Sequence, residues 1–554
     1  MRLSPWRVNN PPPAASLPHI RAGGDNPPCY TPPVPTGTAR VHVAVLIAAA
    51  LILCGPMLWR GAPDLSHDAP GHARWMSLFC QQFWGGEAYP RWLSDENGGL
   101  GGAAFFFYPP LPFYAGCSVW PALAEHDPAG WRTAGLSFSL AMLLSGLTAY
   151  LWLRDLAGGR AALFGALIYL LAPYHAAIDL YARGALGEIW SFVWMPLVLW
   201  LVDRTARGER WAFQGLAISF ALLLLSHLPV TLIFAPVVLL WAIRDRGLLR
   251  VSAALALGAG LAAVYVAPAM LTQSNIRMGD FSAGFYDYRA SWIFKPPFNA
   301  FRIAVWAVSI GTAAYAATLF RFSRFYFALG VAALFFMTPL SGPVWWSIRP
   351  LKILQFSWRF NTLLVVAAAA LSALAYDRIP RPIRALIVCA CGIAILPAAL
   401  TGFAAHRVSN SLAREEYPYW PQTAAVPEIY DTLGRFLTEH PAKSTRLVPG
   451  GSATVESWRA RHVVLQVEAG TDGRLTLAHF FYPGWRGSIE QTGQSIAVNA
   501  SRPEGFIQME VPPGRYTLSL ELAPQPAERW GVILSLVSLG LLAAASAVTA
   551  FSRA

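Results

Sequence analysis

Residues 151–204 read LWLRDLAGGRAALFGALIYLLAPYHAAIDLYARGALGEIWSFVWMPLVLWLVDR. Two apolar runs, at 161–175 and 189–202, lie on either side of a polar stretch holding His175, Asp179, Arg183 and Glu188. Arg154 and Arg160 stand on one outer flank and Arg204 on the other. A helix needs about 20 residues to cross a hydrocarbon core of about 30 Å. Both runs therefore read as membrane spans whose ends extend into Trp/Tyr-rich flanks. Working outward, similar runs recur at 41–59, 136–153, 212–226, 229–243, 251–271, 301–320, 325–340, 360–376, 385–403 and 530–551. The expectation is a polytopic α-helical membrane protein with about twelve transmembrane helices.

Composition agrees. Of 554 residues, 55% are hydrophobic and 13% charged, against about 25% charged in a soluble chain. The net charge of +12 would suit a nucleic-acid partner only if Lys and Arg gathered on a water-facing surface. Here they stand singly or in small groups between apolar runs, so no nucleic-acid partner is expected. Every second short loop is basic: Arg154/Arg160, Arg204/Arg207/Arg210, Arg244/Arg246/Arg250, Arg321/Arg324 and Arg378/Arg381/Arg384. The positive-inside rule puts these loops and both termini in the cytoplasm. The other side then receives the loop 60–135, a short turn at His227 and residues 404–529.

Four regions follow. Residues 1–40, with ten prolines, read as a disordered cytoplasmic tail. Residues 41–403 form the transmembrane domain, with 60–135 as its first external loop. Residues 404–529 contain Val463–Val467, Leu475–Phe480 and Tyr516–Leu520, whose approximate alternation between turn residues predicts a small β-rich, sandwich-like extracytoplasmic domain. Residues 530–554 hold the last span and a cytoplasmic end. The six cysteines make no C-x-x-C pair. Cys80 and Cys117 share the first external loop, where an oxidising compartment would permit a disulfide, and spacing alone does not fix their separation.

Polar residues gather at the external ends of spans, where charge is costly and function is the default reading. Asp68 and His72 are four apart, so they share a helix face. Asp68, or Asp64 upstream, is placed to act as a general base, to hold a divalent metal, or simply to cap a helix starting at Pro70. Phe105–Tyr114 is proline-broken and too short to span, so most of its aromatics, including Tyr108, read as interfacial anchors. His175, Asp179 and Arg183 form a four-residue stripe, in which Asp179 reads as a structural partner of Arg183. Arg183 and Glu188 flank a glycine-bearing break of the kind that lines cavities. His227, Lys352 and Arg359 fall at the same face. Arg with its fork and Lys as a point charge are what a lipid-linked phosphate requires, and snorkelling to headgroups is the plain alternative.

With those residues in place, the chain resembles the bacterial and archaeal membrane proteins known as "6-pyruvoyl-tetrahydropterin synthase-related", which are related to YfhO-like membrane proteins. Both resemble GT-C-fold glycosyltransferases. The similarity rests on Asp68-x-x-x-His72, Gly86–Trp92, Phe107–Pro112, Arg183-Gly184…Glu188, His227, Gln355-Phe356-Ser357-Trp358-Arg359-Phe360 and Phe481-Tyr482-Pro483-Gly484-Trp485. It spans roughly residues 41–551. Two departures stand out: the loop lacks two adjacent acids, and Ser357 stands where proline is common. No cluster of three His typical of a zinc pterin synthase is present.

The resemblance implies a membrane glycosyltransferase of the bacterial inner membrane, with its site facing the periplasm. It would move a sugar from a polyprenyl-phosphate donor to an extracytoplasmic glycan, lipid or protein. It also implies Asp68 as the catalytic acidic residue, with Asp64 second. His72, Arg183, Glu188, His227, Lys352, Arg359 and Tyr108 would bind substrate or lipid phosphate. No cofactor is certain; Mg or Mn at Asp68 is possible on this reading. The alternative is a transporter or assembly factor for lipid-linked glycans that performs no catalysis.

Overall fold

Where water is absent, an apolar run can satisfy its backbone polar groups only by closing into a helix. The computed structural model describes residues 36–244, 247–277, 284–403 and 438–551. Arg246 of the third basic loop, most of the 1–40 tail and residues 404–437 of the expected external segment lie outside them. The main helices are α1 (Thr36–Arg60), α2 (Ala69–Trp84), α3 (Leu111–Cys117), α4 (Trp131–Ala157), α5 (Gly159–Leu170), α6 (Leu186–Ala206), α7 (Ala212–Ser226) and α8 (Leu228–Arg244). They continue with α9 (Leu248–Leu261), α10 (Ala263–Leu271), α11 (Ala300–Thr318), α12 (Arg324–Phe336), α13 (Asn361–Leu374), α14 (Arg381–Thr401) and α15 (Pro526–Phe551).

Among the described residues, eight helical stretches are long and apolar enough to cross a membrane. The number is ten if each of two bent pairs is one span, and α7 and α8 are shorter apolar helices. The chain is a multi-pass membrane protein. Each of the twelve expected runs contains a helix, while length supports eight to ten spans.

Two runs expected to be continuous are bent, each for a local reason. The 251–271 run turns by 76° between α9 and α10. Ser535 of α15 holds the break open: its Oγ accepts the Val264 N–H (2.8 Å) and lies 3.0 Å from the Leu261 carbonyl. Arg91 donates to the freed Val264 carbonyl (2.8 Å). A side chain inserted into the hydrogen-bond ladder is a recognised cause of a sharp kink. The 325–340 run turns by 88° after α12, where Pro339 brings no N–H to continue a helix. At the bundle centre α13 is almost wholly buried, and small residues permit its close packing. A Cβ on Gly165 of α5 would stand 2.9 Å from the Ala369 carbonyl oxygen. Cys389 and Cys391, expected as packing residues, lie on α14, which leaves most of its apolar surface outside the protein.

The segment between α2 and α4 is buried in two neighbouring cores: Phe105 and Phe113 pack with α1, α4 and α6, and Trp92 and Phe106 with the C-terminal β region. Trp92, Phe105, Phe106 and Phe113 are at most 1% exposed, so these aromatics are interior residues and not interfacial anchors. A disulfide joins Cys80 of α2 to Cys117 of α3, with Cα atoms 5.2 Å apart. Closing a 37-residue loop restricts the unfolded chain by about 2–4 kcal/mol. Cys80→Ser should therefore lower the thermal midpoint of the purified protein, and a reductant should bring the wild type down to the same value.

The C-terminal β region is two antiparallel sheets, in the orders β1-β4-β8-β7 and β2-β3-β9-β5-β6. The strands are β1 (Thr445–Val448), β2 (Gly451–Arg459), β3 (His462–Ala469), β4 (Gly473–Phe480), β5 (Trp485–Ile489), β6 (Ser495–Ile496), β7 (Val498–Ala500), β8 (Phe506–Val511) and β9 (Gly514–Leu522). Val463, Leu465 and Val467 pair with Leu520, Leu518 and Tyr516, and their alternation buries one face of each strand. The resulting core also takes in Trp92, Leu100 and Phe106 from the segment after α2.

This docking is polar as well as apolar. His479 receives the Trp92 Nε1–H on Nε2 (3.1 Å) and donates from Nδ1 to the Gly99 carbonyl (3.2 Å). Glu528, at the start of α15, pairs with Arg461 (3.0 Å) and Arg91 (3.4 Å), and Arg461 reaches Glu87 (3.4 Å). Burial pushes the Glu87 carboxyl up to about 7 against the pull of Arg461, Gln82 and Arg91. A folded value above the ordinary 4.5 means the folded chain holds this proton more tightly than the unfolded one. The resulting stabilisation is complete below about 4.5 and is lost as pH rises through about 7. Thermal midpoints should fall between pH about 5 and about 8, and Glu87→Gln should flatten that slope.

Candidate functional site

Residues Tyr174–Arg183 wind as a π-helix, a rare form found often at functional positions. It ends at Gly184, where φ is +64°. Two requirements coincide there. The left-handed backbone favours glycine, and a Cβ would stand 2.5 Å from both Ser66 Oγ and Ala69 Cβ. The chain thus passes directly against the loop that carries Asp68. The Asp68 N–H donates to the Arg183 carbonyl (2.6 Å) and the His67 N–H to that of Ala182 (3.2 Å).

Asp68 holds the N-cap position of α2, but its side chain makes no cap; Ser66 Oγ accepts the Ala69 N–H instead (3.3 Å). The Asp68 carboxylate is 35% exposed and its Oδ2 lies 3.8 Å from Arg183 Nη2. Arg183 is buried, and its Nη1 donates to Asp179 Oδ1 (2.6 Å) and Glu188 Oε2 (2.8 Å). Glu188 accepts the Tyr174 hydroxyl (2.8 Å) and pairs with Arg359 Nε (3.4 Å). Arg359 also donates to the Leu354 carbonyl and lies 3.4 Å from Gln355 Oε1, where Gln355 turns the chain at φ +61°. Three carboxylates therefore meet two guanidiniums, and Asp68 is the half-exposed member.

Both nearby histidines have their tautomers set by their partners. His72 Nδ1 faces the Gly184 carbonyl (2.9 Å), which can only accept, so Nδ1 carries the proton and Nε2 accepts from the Tyr108 hydroxyl (2.7 Å). Burial pushes the His72 imidazole below its ordinary value, against the pull of Asp68, so the ring stays neutral. His227 Nδ1 accepts the Val230 N–H (3.2 Å), which leaves its proton on Nε2. Gly187 brings the two together: a Cβ there would lie 3.3 Å from His227 Cδ2 and 3.5 Å from the Tyr108 oxygen.

Seven of the nine residues expected at the site thus form one cluster: Asp68, His72, Tyr108, Arg183, Glu188, His227 and Arg359. Asp64 is buried in the preceding turn and is not among the partners of Arg183. Lys352 lies apart, with its charge near Asp287. His175 leaves the expected stripe, since its ring stacks on Phe192 (3.8 Å) and its Nδ1 meets the Tyr169 carbonyl (3.1 Å). Sequence reasoning passed over Tyr174 and Gln355. Both sit inside stretches it singled out, but only the π-turn and the left-handed residue show which way they contribute. Ser357 has its own explanation: its N–H donates to Ser291 Oγ (2.7 Å), which a proline could not do.

A divalent metal was expected at Asp68 if anywhere. Among the described residues no group of three His, Cys, Asp or Glu is arranged to hold one. Asp68, Asp179 and Glu188 close around the Arg183 guanidinium, and both nitrogens of His72 are engaged. This donor set does not fit a metal ion.

No family model matches the chain, and no curated protein matches it. Solved structures similar to it include ArnT from Cupriavidus metallidurans bound to undecaprenyl phosphate, at 17% identity over 67% of each chain with a TM-score of 0.41. Another is the arabinofuranosyltransferase AftD from Mycobacteria, at 21% identity over 73% of this chain and 29% of that one, TM-score 0.39. A third is the archaeal oligosaccharyltransferase AglB from Archaeoglobus fulgidus in complex with an inhibitory peptide and a dolichol-phosphate. It is 14% identical over 67% of this chain and 57% of that one, with a TM-score of 0.40. The chain spans less than a third of AftD and little more than half of AglB.

Proposed function

We propose that this chain is a GT-C-type membrane glycosyltransferase that moves a sugar from a polyprenyl-phosphate donor to an acceptor hydroxyl outside the cytoplasm. The observation that carries the reading is the Asp68 carboxylate, half exposed at the edge of an otherwise buried ionic cluster and held against Arg183 at 3.8 Å. Asp68 takes the proton of the acceptor hydroxyl. The new bond forms at the anomeric carbon, and the bond from that carbon to the phosphate oxygen breaks. The leaving group is a lipid phosphate, which needs positive charge more than a proton; Arg359 and Arg183, the two guanidiniums of the cluster, supply it. The Tyr108 hydroxyl, pinned by His72, and the His227 Nε2–H orient the sugar or the acceptor.

The proposed orientation, with both termini cytoplasmic and the sandwich outside, draws support from the basic alternate loops and from the Cys80–Cys117 disulfide, since disulfides persist in oxidising compartments. The test is incubation of the purified full chain with labelled polyprenyl-phosphate sugars, scoring free lipid phosphate. No release with any donor in the presence of acceptor-bearing envelope material would overturn the reading.

A further inference from the structure

Arg302 lies outside the cluster and calls for an explanation of its own. It sits in the first turn of α11, where Asn299 caps the helix by accepting the Arg302 N–H on its side-chain oxygen (2.9 Å). The residue is 6% exposed. Among the described residues its guanidinium has no acidic partner: Nη1 reaches the Lys295 and Pro296 carbonyls, at 3.4 and 3.2 Å, and Nε has no hydrogen-bond partner. An arginine is ordinarily buried only when it is paired and hydrogen-bonded, so the site is short of one anion. The free N–H groups at the N-terminus of a 19-residue helix favour that anion as well.

The surroundings indicate what bears it. Lys295 is exposed beside the guanidinium's carbonyl partners. Phe294 and Phe298 are 68% and 64% exposed and both pack on Trp306, which makes an aromatic rim at the end of an apolar span. Ile303 and Ile310 continue the uncovered surface along α11. Cation, helix end and aromatic rim are stacked in the order of a lipid's headgroup and chains. We propose that Arg302, with Lys295 and the start of α11, binds the phosphate of an anionic phospholipid whose chains lie along α11. This site borders the Asp68 cluster, since Phe301 packs on His67 (4.5 Å) and on Trp358 (5.6 Å). Arg302 itself makes no contact with the cluster's carboxylates, and its lipid is read by binding, not by the transfer reaction.

The purified full chain would be placed in nanodiscs of phosphatidylcholine with increasing phosphatidylglycerol, and the lipids that remain bound counted by native mass spectrometry. Wild type should retain one phosphatidylglycerol preferentially, and Arg302→Gln should weaken that retention about tenfold or more, as expected for loss of a charge-assisted contact. Lys295→Gln, at an exposed position, should weaken it less and guards against misfolding of the Arg302 variant. Arg349→Gln, an exposed cation elsewhere at the same end, should leave it unchanged. Inorganic phosphate in detergent separates the sources. If it raises the thermal midpoint of wild type but not of Arg302→Gln, a free phosphate suffices; if it does nothing while the lipid binds, the chains are needed. Equal phosphatidylglycerol retention by wild type and both variants, with no response to phosphate, would overturn the proposal.

Discussion

Asp68→Asn is expected to cut sugar transfer by about a hundred- to ten-thousand-fold while the protein accumulates in the membrane and melts as wild type does. The two halves of this expectation come from different features of one residue. Asn and Asp are equally good at an N-cap, and the Asp68 side chain makes no cap bond to lose. Its contact with Arg183 is a 3.8 Å approach from a 35% exposed carboxylate, and exposed pairs contribute little to stability. Arg183 keeps Asp179 and Glu188. The amide is nearly isosteric with the carboxylate but cannot accept a proton at neutral pH. Loss of rate with retained donor binding, read as a fall in kcat at similar KM, is the pattern a general base gives. A chain that only binds or moves lipid-linked glycans would tolerate Asp68→Asn and be hurt more by loss of Tyr108. An unchanged rate in Asp68→Asn would remove Asp68 from the chemistry.

Legibility in the sequence followed the range of the interaction that decides each feature. Helices such as α4 and α13 and strands such as β3 and β9 are local patterns of apolar residues, so composition and alternation reveal them. The break at Ala262 is invisible locally, because Ser535 and Arg91, far away in the chain, occupy it. Lys352 and Arg359 look alike on paper, seven residues apart in one basic-aromatic stretch. The left-handed turn at Gln355 separates them, and only Arg359 reaches Glu188. The aromatics of residues 105–113 read as anchors because their composition suits an interface. The disulfide and the docking of the sandwich instead give them an interior. Arg302 drew no attention, since a lone arginine at the start of an apolar run is ordinary until its burial and missing partner are known.

Arg183→Met should destabilise the protein by about 3–5 kcal/mol, the range for removing one partner of a buried ion pair. Methionine keeps much of the stem's volume, so packing loss is small and the effect is electrostatic. What remains is Asp179, fully buried, and Glu188, 1% exposed, with Arg359 reaching only Glu188 at 3.4 Å. Two carboxylates held close together without the cation between them must repel or take up a proton. Arg183→Lys restores the charge but not the fork that contacts Asp179, Glu188 and Asp68 together, so it should recover only part of the stability. The informative variant is the double one. Asp179→Asn in the Arg183→Met background removes a charge that Arg183 no longer balances, and it should raise the thermal midpoint above that of Arg183→Met alone. In the wild-type background the same Asp179→Asn change should be neutral or destabilising. That sign reversal is a coupling energy, which a residue acting by shape alone would not produce. Additive effects across the cycle would mean that Asp179 does not depend on Arg183, and the ionic account of that pair would fail.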